Sequence, residues 1–250
     1  MKEFHRYSAI SANPCWIDAD AYLFDIDGTL LNTRDGVHYY AFQHALKAVF
    51  GITPRVDGIP VHGNTDIGIL RAILRREGLS DRDIEARLPL VIQQMCDEVC
   101  ANASGIRVEV CPSIPELLGS LHAAGKLLGI VSGNLEPIGW AKIQAARLRE
   151  FFAFGCFSHP NELRQEIFRH GVAEVRRRLT DAASVCVVGD TPSDIQAAQA
   201  VGIPIIAVAT GIFRQDDLLR LNPDTCVRCC TELLGAAAPA PAATEHREPA

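Results

Sequence analysis

The sequence predicts an α/β fold, a doubly wound parallel sheet with an α-helical domain inserted after the first strand. Four apolar runs have the length of buried strands, and helical patterns separate them along the chain. The runs occupy residues 21–24, 126–131, 185–188 and 203–208. Strands that alternate with helices form right-handed βαβ units, which place the strands parallel and the helices on both faces of the sheet.

The helical patterns indicate where the inserted domain and the connecting helices lie. Between residues 37 and 100 apolar residues recur at helical spacing, beginning with Tyr40, Leu46 and Val49, and no strand-like run interrupts them. Later helices are predicted at 115–125, from 137 onward and at 193–201. We therefore expect an N-terminal extension at 1–19, a core domain at 20–32 and 111–235, a helical insertion at 33–110 and a disordered Ala/Pro-rich tail at 236–250.

Composition and charge exclude several classes of protein. The chain has 250 residues, of which 48% are hydrophobic and 22% charged, and its formal net charge is −6. A nucleic-acid-binding protein needs a basic surface to displace counterions from phosphates, so we expect no nucleic-acid partner. No apolar run approaches the roughly 20 residues that span a bilayer, and no secretory signal is recognisable, so we expect a cytoplasmic protein without a membrane partner.

The nine cysteines are scattered without the paired spacing of a disulfide framework. Cys226, Cys229 and Cys230 form a cluster that could begin a zinc site. A structural zinc site needs four ligands, and no second pair has suitable spacing nearby. We therefore expect reduced thiols at these positions.

Polar residues follow three of the apolar runs directly. The segments read Asp25-Ile26-Asp27-Gly28-Thr29, Ser132-Gly133-Asn134 and Gly189-Asp190-Thr191-Pro192-Ser193-Asp194. Each segment alone is explained by turns and helix caps. In a doubly wound sheet, however, ligands bind outside the carboxyl ends of the strands. Three such segments together therefore predict a ligand site.

These motifs resemble those of the haloacid dehalogenase-like superfamily of phosphohydrolases. The first family motif, Asp-x-Asp-x-Thr, matches residues 25–29, the second matches Ser132, and the fourth, Gly-Asp-x-x-x-Asp, matches residues 189–194. The similarity covers residues 20–220, and segment 131–135 with the helical insertion is most similar to phosphoglycolate phosphatase-like members. The resemblance implies a Rossmann-like core with the insertion as a cap over the active site.

The resemblance also implies a mechanism of phosphoryl transfer. Asp25 would attack phosphorus to form an aspartyl-phosphate, and Asp27 would protonate the leaving alkoxide and then deprotonate water. Mg²⁺ would be held by the Asp25 carboxylate, the Asp27 carbonyl and Asp190, with Asp194 as a closer or outer partner. The groups expected to contact the phosphoryl oxygens are Thr29, Ser132 and the amides of Gly133 and Asn134.

The sequence departs from the family pattern at the third motif. Relatives often carry a Lys before a Pro-containing turn, whereas segment 154–165 contains no Lys. The cation must then come from elsewhere, and two positions remain open. Lys142 lies early in the helix after Ser132, and Arg164 lies where the later segment enters its next helix. Both are candidate catalytic residues.

The helical insertion is expected to bind the leaving group of the substrate and to exclude water. Its loop 62–66 is similar to the cap loop that reaches the active site in relatives, which makes Asn64, Thr65 and Asp66 candidates for substrate binding. Three nearby arginines are candidates for binding an acidic substrate, although helical arginines are more often solvated: Arg71, Arg75 and Arg76.

The expected function is a Mg²⁺-dependent phosphomonoester hydrolase, monomeric or homodimeric, that acts on a small phosphorylated metabolite, with 2-phosphoglycolate as one candidate. A sugar phosphomutase of the same fold and a non-catalytic binding or regulatory protein remain open as alternatives. A haloacid dehalogenase is disfavoured because halide release needs no acid such as Asp27. A phosphonate hydrolase is disfavoured because it would want a cap lysine for a Schiff base, and Lys47 is the only lysine in the insertion.

Overall fold

The computed structural model of the protein describes residues 16–54, 58–59 and 61–234. The tail expected at 236–250 and residues 1–15 of the expected N-terminal extension lie outside the described residues. The strands are β1 Ala21–Phe24, β2 Leu31–Thr33, β3 Val108–Val110, β4 Leu127–Val131, β5 Phe154–Cys156, β6 Val185–Gly189, β7 Ile205–Val208 and β8 Thr225–Val227. The α-helices are α1 Val37–Phe50, α2 Asp66–Arg76, α3 Asp81–Ala101, α4 Ile114–Ala123, α5 Glu136–Ala145, α6 Arg164–Arg178, α7 Pro192–Val201 and α8 Gln215–Leu219.

The central sheet contains six strands in the order β5-β4-β1-β6-β7-β8. Every pairing in this sheet is parallel. The strand β1 lies in the middle, between β4 on one side and β6 on the other. The predicted parallel α/β fold is confirmed, and the carboxyl ends of β4, β1 and β6 lie next to one another.

Short strands account for the differences from the prediction. The edge strands β5 and β8 have three residues each and pair on one side only. Such strands bury too few residues to leave a periodic signal in the sequence. A separate antiparallel pair, β2 and β3, lies where the chain enters and leaves the helical block. The expected domain boundaries at 32/33 and 110/111 fall on this pair.

Apolar side chains of the sheet form a core on each face. On β1, Tyr22 and Phe24 belong to a cluster that includes residues of α4 and α5. The alternate residues Ala21 and Leu23 belong to a second cluster that includes residues of α6 and α7. Because strand residues alternate between faces, one buried strand supports both cores.

The helices α1, α2 and α3 form a third core, to which Leu135 and Ile138 at the start of α5 also belong. The buried residues of α1 are Ala41, Ala45 and Leu46. Tyr40, which contributed to the helical pattern in the sequence, is 54% exposed. Two small alanines and Leu46, not the tyrosine, form the buried stripe of α1.

Candidate active site

The carboxyl ends of three neighbouring strands bring the predicted motifs together. Asp25 follows β1, Ser132 follows β4, and Asp190 follows β6. All three residues line a cavity of about 520 Å³ that is also bordered by α1 and α2. The strand-end segments therefore share one site between the sheet and the helical block.

Three buried carboxylates form a cluster in this site. One oxygen from each of Asp25, Asp190 and Asp194 lies within 4.8 Å of the others. Burial raises the pKa of Asp190, and the charges of Asp25 and Asp194 raise it further. Burial likewise raises the pKa of Asp25, against the opposing charge of Arg164. These oxygens fit a divalent cation, because its charge would offset their mutual repulsion.

Arg164 is the protein cation in contact with this cluster. It is the first residue of α6, and its side chain is buried. Its Nη2 lies 2.8 Å from Oδ1 of Asp25, and its Nε donates to Oδ1 of Asp194 at 2.7 Å. The planar guanidinium thus bridges two carboxylates, an arrangement that suits its fixed fork of donors.

Asp27 lies in a separate network. Lys142 Nζ donates to its two carboxylate oxygens at 2.9 and 2.7 Å, and Asn134 Nδ2 donates to Oδ2 at 2.8 Å. Partial burial of Asp27, whose side chain is 42% exposed, raises its pKa, but the charge and hydrogen bonds of Lys142, aided by Asn134, outweigh this effect and lower the pKa to about 2. The two aspartates of the first motif therefore differ in environment although they are two residues apart.

The loop after β4 presents polar groups to the cavity. Ser132 Oγ accepts from Asn134 Nδ2 at 2.8 Å, and Asn134 Oδ1 accepts from Lys142 Nζ at 2.8 Å. Ser132, Gly133 and Asn134 all line the cavity. Asn134 consequently holds the serine, the lysine and Asp27 in one network.

The turn after Asp27 brings the first and fourth motifs into contact. Gly28 has a φ of +87°, and a Cβ at this position would overlap the Asp190 carboxylate, so the turn requires glycine. Thr29 Oγ1 donates to Asp190 Oδ1 at 3.0 Å. Thr29, which was expected to contact phosphate, is fully buried behind the cavity lining, and its hydroxyl orients Asp190.

Comparison with known proteins identifies the family. The family model described as haloacid dehalogenase-like hydrolase matches residues 22–208. The chain belongs to this family. A haloacid dehalogenase-like fold also accounts for the parallel sheet and for the position of the site at its carboxyl edge.

Relatives of this hydrolase are phosphatases. A phosphoglycolate phosphatase from Synechococcus elongatus is 30% identical over 86% of this chain and 96% of the relative. The probable phosphatase IndB from Dickeya dadantii is 27% identical, over 86% and 92%. The structure of CbbY from Rhodobacter sphaeroides in complex with phosphate has the same fold, with a TM-score of 0.61 at 18% identity over 88% of this chain and 98% of that one. The chain is thus an enzyme of the phosphatase type within the hydrolase family.

The two cations between which the sequence could not choose lie at different places in the site of this hydrolase. Arg164 contacts Asp25 and Asp194, whereas Lys142 contacts Asp27. Both cations line the cavity. Lys142 comes from the C-terminal half of α5, not from its first turn, and reaches the site along the helix.

The loop before α2 docks on the core of the hydrolase. Asp66 N donates to Gly133 O at 2.7 Å, and Asp66 Oδ2 accepts from Leu135 N at 2.7 Å. Thr65 Oγ1 donates to Glu162 O at 2.7 Å. These three hydrogen bonds join the helical block to the loop after β4 and to the segment before α6.

Two of the three residues expected to bind substrate from this loop line the cavity. These are Asn64 and Asp66. Thr65 is outside the lining and is the N-cap of α2, where its hydroxyl accepts from Gly68 N and donates to Glu162 O. Its hydroxyl is therefore committed to holding the loop.

The arginines of α2, which were candidates for binding an acidic substrate, are outside the cavity lining. Arg71 pairs with Glu85 and Glu162. Arg75 pairs with Asp81, and Arg76 is exposed. The face of α2 that lines the cavity carries Ile69 and Ile73, and helical geometry turns Arg71 and Arg75 to other faces. Arg76 follows this face at the C-terminal end of α2, where it is exposed.

Residues of the helical block that the sequence did not single out also line the cavity. They are His38, Tyr39 and Phe42 of α1 and Ile69 and Ile73 of α2. Their sequence signal was helical periodicity, which does not separate a residue facing a cavity from one facing a core. His38 Nε2 lies 3.2 Å from Asp66 Oδ2, which links α1 to the docked loop.

Two further predictions concern the cysteine cluster and membrane-spanning helices. Within the described residues, the acidic cluster is the one group with metal-binding geometry, so Cys226, Cys229 and Cys230 form no such group. Cys230 is buried, and burial raises its pKa. In the described part of the chain, no helix is both long and apolar enough to cross a membrane.

Replacing Gly133 by Ala is expected to lower kcat/KM for p-nitrophenyl phosphate about 100-fold, because a displacement of about 1 Å near the reacting groups can reduce the rate by this factor. An added Cβ would lie 2.5 Å from Asn64 O and 3.0 Å from Thr65 Cα, so the loop and the helical block must separate. Gly119→Ala is the control, because a Cβ there meets no atom within 4 Å. Activity of Gly133→Ala equal to that of the control would contradict the close contact.

Proposed function

We propose that the chain is a Mg²⁺-dependent phosphomonoester hydrolase that acts through an aspartyl-phosphate. The observation that carries the proposal is the division between Asp25 and Asp27. Asp25 lies in the acidic cluster beside Arg164, whereas Lys142 and Asn134 hold Asp27. Two carboxyls whose environments push their pKa values apart are suited to different steps of one reaction.

Asp25 is the proposed nucleophile. Its carboxylate lines the cavity at the end of β1 and would attack phosphorus, with the P–O bond to the leaving group breaking. The phosphoryl oxygens would meet Arg164, the Ser132 hydroxyl and the amides of the loop after β4, whose positive ends compensate the charge of the transferred group. Arg164 would thus take the place of the missing third-motif lysine.

Asp27 is the proposed acid and base. Its low pKa favours the carboxylate, which suits removal of a proton from the water that hydrolyses the aspartyl-phosphate. Donation to the leaving alkoxide needs the protonated form. An anionic phosphoryl group beside Asp27 would raise its pKa and favour that form, because like charges nearby disfavour ionisation. Lys142 and Asn134 would keep the carboxyl oriented through both steps.

Mg²⁺ is the proposed cofactor. The residues that would hold it are the carboxylates of Asp25 and Asp190 and the carbonyl of Asp27, with Asp194 behind them as a partner of Arg164. When bound, the ion would polarise the phosphoryl group and neutralise part of its charge. Asp194 has further bonds that restrain it, from the amide and hydroxyl of Thr191.

The proposed substrate is a small phosphorylated metabolite. Relatives are named for phosphoglycolate, and this makes 2-phosphoglycolate a candidate substrate for the chain. The candidate rests on those names, since the arginines of α2 that could have bound its carboxylate are paired elsewhere or exposed.

Asp25→Asn is expected to abolish phosphate release, because an amide cannot form the aspartyl-phosphate. The measurement is inorganic phosphate released from a panel of phosphomonoesters with Mg²⁺, after circular dichroism has shown that the variant is folded. An active Asp25→Asn variant would refute the covalent mechanism. Isomerised sugar phosphate without free phosphate, from the unmodified chain, would indicate a mutase instead.

Arg164→Ala is expected to lower kcat by about 100-fold or more, the usual cost of losing a donor to the developing charge. Arg164→Lys should recover part of the loss. Arg169→Ala is the matched control on the same helix, because Arg169 is exposed and pairs only with neighbouring Glu166 among the described ion pairs. A kcat of Arg164→Ala close to that of Arg169→Ala would exclude Arg164 from the reaction.

Mg²⁺ is expected to raise the melting temperature more at about pH 8.5 than at about pH 5.5. The raised pKa values of Asp25 and Asp190 mean that the metal-free folded state keeps protons which the unfolded chain has lost. Stability of the metal-free protein therefore falls as the pH rises above the ordinary carboxyl range of about 4. Metal binding needs the ionised carboxylates and offsets this loss.

The measurement for this effect is thermal denaturation in EDTA and in Mg²⁺ at both pH values. Asp190→Asn removes one of the raised carboxyl groups and should reduce both the pH dependence of the metal-free protein and the response to Mg²⁺. An equal Mg²⁺ response at the two pH values, or one unchanged in Asp190→Asn, would contradict a metal site at this cluster.

A further inference from the structure

The helical block presents an apolar wall to the cavity. We call this set the cap wall, and its members are Tyr39, Phe42, Pro54, Val61, Ile69 and Ile73. Tyr39 and Phe42 are three residues apart on α1, and Ile69 and Ile73 are four apart on α2, so each pair shares one helical face. The wall is therefore built from two helix faces, with Pro54 and Val61 added from the segment between the two helices.

Two residues of the cavity lining are large, apolar and exposed. Tyr39 of the cap wall is 48% exposed, and Ile212 from the loop after β7 is 60% exposed. They come from the two parts of the chain that border the cavity. Exposed apolar groups gathered at a cleft are typical of ligand-binding surfaces.

The cations of the cavity lining are already paired. The buried cations Arg164 and Lys142 contact the carboxylates of the first motif, and Arg34, whose side chain is 60% exposed, forms a surface ion pair with Glu109. Among the described lining residues, the remaining groups that can carry positive charge are His38, which faces Asp66, and His62, which is exposed. A second anionic group on the substrate would thus be desolvated beside an apolar wall, which is costly without a paired cation.

We infer that the hydrolase selects phosphate monoesters whose leaving group is uncharged and has an apolar body, in preference to carboxylated esters such as 2-phosphoglycolate. This inference rests on the proposed function and concerns the same site. The phosphoryl group would occupy the polar end at Asp25 and Arg164, and the leaving group would contact the cap wall. The cavity of about 520 Å³ lies in the range of sites that enclose much larger molecules than a glycolate group.

The test compares benzyl phosphate with 4-carboxybenzyl phosphate, which differ only in the carboxylate, and includes 2-phosphoglycolate. With Mg²⁺, kcat/KM for benzyl phosphate is expected to exceed that for the carboxylated ester by about tenfold or more. A preference for 4-carboxybenzyl phosphate or for 2-phosphoglycolate would overturn the inference and leave the proposed function intact. Absence of phosphate release from every ester would refute the proposed function, and the inference with it.

Two neighbouring tyrosines provide a matched pair of variants. Tyr39 lines the cavity, whereas Tyr40 is similarly exposed and does not. Tyr39→Arg places a cation at the cap wall and is expected to reduce or reverse the preference between the two benzyl esters. Tyr40→Arg should leave that ratio as in the unmodified chain. Equal ratios in the two variants, or loss of the preference in His62→Ala, would contradict recognition by the cap wall.

Discussion

The burial of three carboxylates within 4.8 Å of one another is the constraint on which the site depends. Their charges repel strongly where water is scarce, so the surrounding structure must supply compensation. Arg164 does so from the first residue of α6, and the capping box at the start of α7 holds Asp194 in place. Gly28 lets the backbone approach Asp190 closely enough for the first and fourth motifs to meet.

The same arrangement separates the two aspartates of the first motif. Residues two apart on a strand would share one face and one environment. The chain leaves β1 after Phe24, however, and turns at Gly28, and Asp27 is held by Lys142 of α5 and by Asn134 of the loop after β4. Asp25 therefore lies in the acidic cluster beside Arg164, whereas Asp27 pairs with Lys142. The division begins where the strand ends and depends on partners from α5, α6 and the loop after β4, which are distant in sequence.

Much of the fold and the position of the site could be predicted from the sequence, because β1, β4, β6 and β7 are apolar runs and ligands bind beyond the ends of parallel strands. The edge strands β5 and β8 could not be predicted, since segments of three residues carry no periodicity. Nor could the sequence choose between Lys142 and Arg164. The reach of a side chain depends on the rotation of its helix against the sheet, and both helices present one cation to the cavity. The sequence also could not show that the hydroxyls of Thr29 and Thr65 form internal hydrogen bonds, because their partners are distant in sequence.

The cap wall could not be recognised in the sequence because some of its residues contact both the cavity and the core of the helical block. Ile69 and Ile73 line the cavity and also belong to the core of α1, α2 and α3. Periodicity records that such residues are apolar, but not which of the two surfaces they contact. Selection of a leaving group and stability of the helical block are consequently coupled at these positions. Tyr39 is outside that core and exposed, so its side chain can change the chemistry of the wall without removing a core contact. The groups proposed to react, by contrast, are supplied mainly by the sheet domain, where the acidic cluster allows little change. Under the proposed function, the leaving group would therefore be distinguished by residues that play no part in the transfer of the phosphoryl group.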